Sequence, residues 1–207
     1  HGQTFWIAYR RAREAGGQLV YRTEDLDAQR CSDDFATAAI EDLAWLGIEW
    51  DEGPDRGGPF GPYIQSRRLK RYRQLLNQLI SRGFAYPCRC SRRDVREAAS
   101  APHEQGDEPL YAGTCRPSLG QDAVFELAGE RKVNWRFRVP YDNVVSFEDG
   151  RYGFRSFNSG KDFGDFVLWR HDGMPSYQLA VVADDHDMEI TEVVRGADLL
   201  ILCLMKM

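Results

Sequence analysis

Three cysteines are the residues best suited to chemistry in this 207-residue chain. Cys88-Arg89-Cys90 sets two thiols one residue apart, and Cys115 follows behind Tyr111. Three sulfurs around one loop supply three of the four soft donors of a tetrahedral zinc site. Tyr111, His103 or water would supply the fourth donor. The same spacing would also arise from buried thiols packed as small apolar groups. Cys31 and Cys203 lie apart from the three and read as core residues. Five cysteines, an odd number, are too few for a disulfide scaffold.

Three further constellations carry charge or polarity where a ligand could use it. Arg22-Thr23-Glu24-Asp25-Leu26-Asp27 ends a strand expected over 18–22, and ligands of open α/β sheets sit beyond strand ends. Its acidic groups could receive an ammonium group or a metal, or merely bracket a turn. His1-Gly2 precedes a helix, and free N–H groups at a helix start suit an anion such as a phosphate. Tyr177-Gln178 lies in an apolar run, and Arg195-Gly196 follows a second expected strand. An arginine fork there could pair bidentately with a carboxylate.

The elements that must position these groups read as an α/β layer fold. Apolar residues at helical spacing predict a helix over 3–14, with Gly16-Gly17 as its stop. Ser32 caps a second helix whose first turn carries Asp33 and Asp34, matched to the helix dipole; Gly47 ends it. A loop rich in glycine and proline leads to Ser66 and a third helix ending at Gly83. Ser91 begins a short helix. Strands are expected over 133–139, 165–170, 176–183 and 189–194; the run over 176–183 reads as a central strand buried on both faces.

A formal charge of −5 hides an uneven distribution. Ten basic residues between Arg67 and Arg96 face only Asp94, so these thirty residues carry +9 and the rest of the chain −14. That asymmetry points to a strip facing a polyanion, or to a solvated helix face. The apolar run Leu199 to Met205 is far shorter than the roughly 20 residues that span a bilayer.

Several motifs together resemble the catalytic domain of the class I glutamyl-tRNA synthetase family. His1-Gly2-Gln3-Thr4 is similar to the end of the HIGH motif, with His1 as its second histidine. Arg22 to Asp27 (RTEDLD) resembles the RIEDLD stretch. Trp50 to Pro54 (WDEGP) with Gly61 to Ser66 (GPYIQS), and Val193 to Leu200 (VVRGADLL), resemble further family runs. Tyr86 to Asp94, Tyr111 to Arg116 and Tyr177 to Val182 are closest to the glutamyl-Q tRNA(Asp) synthetase group, which lacks an anticodon-binding domain.

The resemblance implies a Rossmann-like catalytic domain with a zinc-binding insert. The expected divisions are a first half over 1–83, the insert over 84–132, and remaining insert strands with the second half over 133–207. It implies zinc on Cys88, Cys90, Tyr111 and Cys115; glutamate on Glu24, Tyr177 and Arg195; ATP on His1 and Gly2, with His1 catalytic; and magnesium accompanying ATP. The implied reaction activates glutamate with ATP and transfers it to queuosine at the wobble position of tRNA(Asp), in a cytoplasmic monomer with no membrane partner.

The alternatives are a catalytic-domain fragment that charges tRNA(Glu), and a non-catalytic zinc-stabilised RNA-binding derivative. Counterparts of the first strand, the first HIGH histidine and the lysine-bearing KMSKS-type loop are missing, and Ile201 to Met207 departs from the family pattern. The chain is therefore expected to be a fragment lacking both ends and inactive by itself.

Overall fold

Helix α1 (Gly2–Glu14) turns Tyr9 toward a small core and closes with the Gly17 N–H on Ala12 O at 2.8 Å. The computed structural model describes residues 2–27, 29–98, 110–118 and 133–196. Helix α2 (Asp33–Trp45) starts as its sequence dictates: Ser32 is extended, and its hydroxyl accepts from the Phe35 N–H at 3.3 Å. Gly47 stops the helix in the left-handed region, φ +73°, where a side chain would be strained. The chain then returns Ile48 to the core beside Leu43 and Trp50. A 3-10 turn (Gln65–Arg68) leads into α3 (Leu69–Ser81), which buries Tyr72 and Leu76.

Residues 18–23 form no strand of their own. Val20 bridges Glu52 and Thr23 bridges Ile64, both in parallel sense. The Tyr21 N–H donates to Glu52 O at 2.8 Å, and the Thr23 N–H to Tyr63 O at 2.9 Å. The segment changes neighbour after two residues, so neither ladder is long enough to count as a strand. Beside it, Tyr63 donates its hydroxyl to the buried Glu52 carboxylate and accepts from the Phe60 N–H at 3.1 Å. Gly58 (φ +144°) makes room for this pair, since a Cβ there would lie 2.3 Å from the Tyr63 hydroxyl.

The remaining strands are antiparallel. β1 (Ala85–Cys88), β2 (Asn134–Phe137) and β5 (Val167–Trp169) form one sheet in the order β1-β2-β5, with Tyr86 opposite Arg136 and Cys88 opposite Asn134. β3 (Val144–Asp149) and β4 (Gly153–Asn158) make a hairpin whose turn is held by Asp149, which accepts from the Arg151 and Tyr152 N–H groups. Short α4 (Arg92–Ala98) has a reciprocal cap. The Asp94 N–H donates to Ser91 Oγ, and the Ser91 N–H to Asp94 Oδ2. The described residues cluster into two units, 2–72 with 180–196 and 73–179.

Two further expected strands, over 176–183 and 189–194, are absent. Residues 177–187 form helix α5 (Tyr177–Asp187), begun by Ser176 Oγ accepting from the Leu179 N–H at 3.2 Å. Leu179, Ala180, Val181, Ala183 and Asp184 are all buried, so the helix is enclosed on most sides. An apolar run of that length has no periodicity to separate helix from strand. Residues 189–194 form no strand because Glu189 takes φ +54° and the Ile190 N–H caps back on Asp185 O at 2.8 Å. No helix among the described residues is long and apolar enough to cross a membrane.

Candidate functional site

A chain of alternating charges links Glu24 to Arg195. Arg22, 11 % exposed, donates through Nη2 to Glu24 Oε1 at 2.8 Å and through Nη1 to Asp185 Oδ1 at 2.8 Å. The other oxygen of Asp185 lies 3.4 Å from Arg195 Nη2. The second Arg195 nitrogen, Nη1, is buried and has no hydrogen-bond partner among the described residues. A buried guanidinium N–H left unpaired is costly, so this atom is a donor in want of an acceptor. Glu24 is exposed, so a cationic group can approach its carboxylate.

Beneath this chain lies a second layer of buried charge. Asp184 is fully buried and receives Arg68 Nε at 2.7 Å, Gln65 Nε2 at 2.9 Å and the Tyr72 hydroxyl at 2.9 Å. Arg68 and Arg71 both reach Asp187, and the Arg71 hydrogen bond holds the Asp187 carboxyl below its ordinary range. Burial, then the charge of Asp184, pushes the Tyr72 phenol far upward, so it stays a donor. Together Arg22, Arg68, Arg71 and Arg195 balance Glu24, Asp184, Asp185 and Asp187. This assembly is neutral by its formal charges.

The sequence did not mark Asp184, Asp185 or Arg68 as partners in a site. The signal was present: two adjacent aspartates directly after an apolar run must find cations once that stretch is buried. Of the acidic groups after Arg22, Asp25 is occupied by the Ser66 N–H and hydroxyl, and Asp27 caps a turn toward Arg30. The basic strip is partly spent on contacts within the chain. Arg68 and Arg71 serve Asp184 and Asp187, Arg73 lies 3.8 Å over the Trp169 ring, and Arg93 pairs with Glu97. Arg67, Lys70, Arg82, Arg89, Arg92 and Arg96 remain exposed.

The three cysteine sulfurs lie within 4.8 Å of one another. Tyr111 joins them: its hydroxyl is 3.4 Å from Cys88 Sγ and 3.6 Å from Cys90 Sγ, and it accepts from the Cys115 N–H at 2.8 Å. β1 delivers Cys88 to a small core with Tyr86 and Tyr111, and the loop after it brings Cys90 to 3.6 Å from Cys115. Burial pushes the Cys90 thiol up to about 11. Burial also works against the Cys115 thiolate, but hydrogen bonds from the Arg89 backbone, Tyr111 and the other two cysteines bring it below its usual value. Three converging sulfurs with a phenol oxygen among them form a donor set that a zinc ion fits.

Two other expected site residues lie at helix starts. Tyr177 opens α5 and is 37 % exposed. Gly2 opens α1, where an added Cβ would meet only Leu46 Cδ1 at 3.8 Å, so packing does not demand glycine there. His1, His103 and Cys203 lie outside the described residues.

Comparison with known proteins then decides the family. The model of class I tRNA synthetases (E and Q), catalytic domain, matches residues 1–201. The chain belongs to this family. The synthetase domain is 45 % identical over 196 residues to the glutamyl-Q tRNA(Asp) synthetase of Nitratidesulfovibrio vulgaris, covering 95 % of the chain and 60 % of that relative. It is 44 % identical over 188 residues to the glutamate–tRNA ligase of Desulforamulus reducens, covering 90 % and 39 %. Among solved structures, it superposes on a glutamate tRNA ligase from Elizabethkingia meningosepticum, crystallised in complex with its amino acid. The TM-score is 0.80 at 32 % identity, over 98 % of the chain and 42 % of that structure. The α/β synthetase domain thus spans about 60 % of the length of its glutamyl-Q relatives.

Proposed function

We propose that the protein containing this domain activates glutamate with ATP, giving glutamyl-adenylate and pyrophosphate, and transfers the glutamyl group to queuosine at the wobble position of tRNA(Asp). The observation that carries glutamate activation is the unpartnered Arg195 Nη1 at one end of a fixed charge chain whose other end is the exposed Glu24. Arg195 is assigned to a substrate carboxylate and Glu24 to the α-ammonium, because the opposite pairing would bring like charges together. Tyr177 is assigned to the same substrate, and His1 and Gly2 to the ATP phosphates, with magnesium accompanying the nucleotide.

Activation needs no side-chain base. A glutamate carboxylate oxygen attacks the α-phosphate in line, and the oxygen bridging to pyrophosphate leaves. The protein positions the two reactants and offsets developing charge. Asp185 holds Arg195 with one oxygen and Arg22 with the other, so the guanidinium is oriented before substrate arrives. Cys88, Cys90, Tyr111 and Cys115 would hold zinc, which would cross-link the loop around them. We propose the divisions 1–83, 84–132 and 133–207 for the halves and the insert, with the exposed arginines contributing to tRNA contact in a cytoplasmic monomer.

The acceptor rests on the two glutamyl-Q relatives, each 45 % identical. The second reading, charging of tRNA(Glu), is favoured by the glutamate–tRNA ligase at 44 %. Glutamate-dependent pyrophosphate exchange into ATP, measured on the full reading frame with and without tRNA, separates them. Exchange without tRNA supports the glutamyl-Q reading, and exchange that requires tRNA supports the second. Absence of exchange under both conditions removes both.

A further inference from the structure

Arg136 is buried on β2, 7 % exposed, in a position that no carboxylate explains. Its Nε donates to Cys88 Sγ at 3.2 Å and its Nη1 to the Asp165 carbonyl at 3.1 Å. Its guanidinium carbon lies 3.9 Å above the Tyr111 ring. These are its partners among the described residues, and none is a formal anion when the thiols carry their protons. The nearby Asp165 carboxylate is already engaged by Tyr86, Arg116 and the Val139 N–H.

A buried cation without a counter-charge costs several kcal/mol even after relaxation. The strand register fixes this one in place, with Arg136 directly opposite Tyr86, two residues before Cys88. The charge count at the cysteine cluster supplies what Arg136 lacks. One divalent ion held by three thiolates and a neutral phenol oxygen carries a net −1, which one guanidinium cancels.

We propose that Arg136 is a positioning residue of the cysteine cluster: it supplies the counter-charge to a bound zinc–thiolate centre through Cys88 and fixes the Tyr111 ring by stacking. The inference rests on the reading of Cys88, Cys90, Tyr111 and Cys115 as metal ligands, and adds a residue that reading does not include. An N–H···S bond withdraws electron density from the thiolate. Arg136 therefore stabilises the centre and also lowers the donor strength of one sulfur.

The test uses the chain itself, with zinc affinity read by competition against a chromophoric chelator and sulfur donation read in the cobalt(II) form. Arg136→Met should weaken zinc binding by about 10- to 100-fold, the range for loss of partners that orient metal ligands. It should also move the thiolate-to-cobalt charge-transfer band to lower energy, because the sulfur regains electron density. Arg136→Lys, which keeps a charge but not the planar fork, should fall between. A folded Arg136→Met with affinity within about twofold of wild type and an unmoved band overturns the proposal. If the Met variant does not fold, a Lys variant with wild-type affinity and band overturns it equally. Wild-type chain that takes up neither zinc nor cobalt overturns the metal reading and this inference together.

Discussion

Asp185 and Arg195 face each other at 3.4 Å, and the same aspartate holds Arg22 with its second oxygen. One carboxylate on α5 therefore fixes two arginines that come from separate stretches of chain. Arg22 in turn restrains Glu24. Disturbing Asp185 should loosen both ends of the chain of charges, whereas removing Arg195 should empty only one.

Replacing Arg195 by Ala should therefore impair glutamate use far more than ATP use. A hydrogen bond to a charged group contributes about 1.5–3 kcal/mol, so the KM for glutamate in pyrophosphate exchange should rise about 10- to 100-fold. The KM for ATP should stay within about twofold, because its phosphates are assigned elsewhere. Equal increases in both would remove Arg195 from the amino-acid pocket.

Asp184 tests the layer beneath. Deleting one member of a buried, hydrogen-bonded ion pair leaves the other charge stranded at a cost of about 3–5 kcal/mol. Asp184→Ala should lower stability in urea toward that order, since it leaves Arg68 paired with Asp187 alone and unpairs Tyr72 and Gln65. Tyr72→Phe, which removes one donor and keeps the ring, should cost about 1 kcal/mol. An Asp184→Ala protein as stable as wild type would show that this network contributes specificity and not stability.

Much of this was legible from residue order. Ser32, Ser91 and the glycines after helices act locally, so α2 and α4 begin, and α1 and α2 end, where those residues place them. The cysteines converge because Cys88 and Cys90 leave one strand together. Tyr111 reaches them from a loop that the sequence left open among several donors. The run over 176–183 reads as a strand and folds as a helix because full burial erases the difference between periods of 2 and 3.6. Asp185 and Arg136 were invisible for a related reason: each acts on a partner tens of residues away, and only the packing brings those partners together.

Acid should weaken the unit containing Asp187 in a defined way. Its carboxyl lies below the ordinary range, chiefly through the Arg71 hydrogen bond, so its contribution is complete above the unfolded value of about 3.9. As pH falls from that value toward the lowered native one, the unfolded chain takes up a proton that the native carboxylate does not, and the contribution is lost. Thermal unfolding of wild type should fall more steeply below about pH 4 than that of Asp187→Asn, and the two curves should converge at the acid end. Parallel curves across this range would mean that Asp187 is not responsible for the acid sensitivity.

Stripping metal should act on the other unit. Cys88, Cys90, Tyr111 and Cys115 tie β1, the loop after it and residues 111–115 together. Zinc bound there links its affinity to folding, because the unfolded chain offers no preformed site. Protein purified with zinc and then treated with a strong chelator should unfold at a lower temperature, and adding zinc back should restore the midpoint. Cys115→Ser should behave like the stripped protein and gain little from added zinc. Trp135 and Trp169, both on the adjoining sheet, provide the fluorescence signal. If the unfolding midpoint ignores both chelator and zinc while Cys115→Ser matches wild type, the three sulfurs are packed thiols and hold no metal that the fold uses.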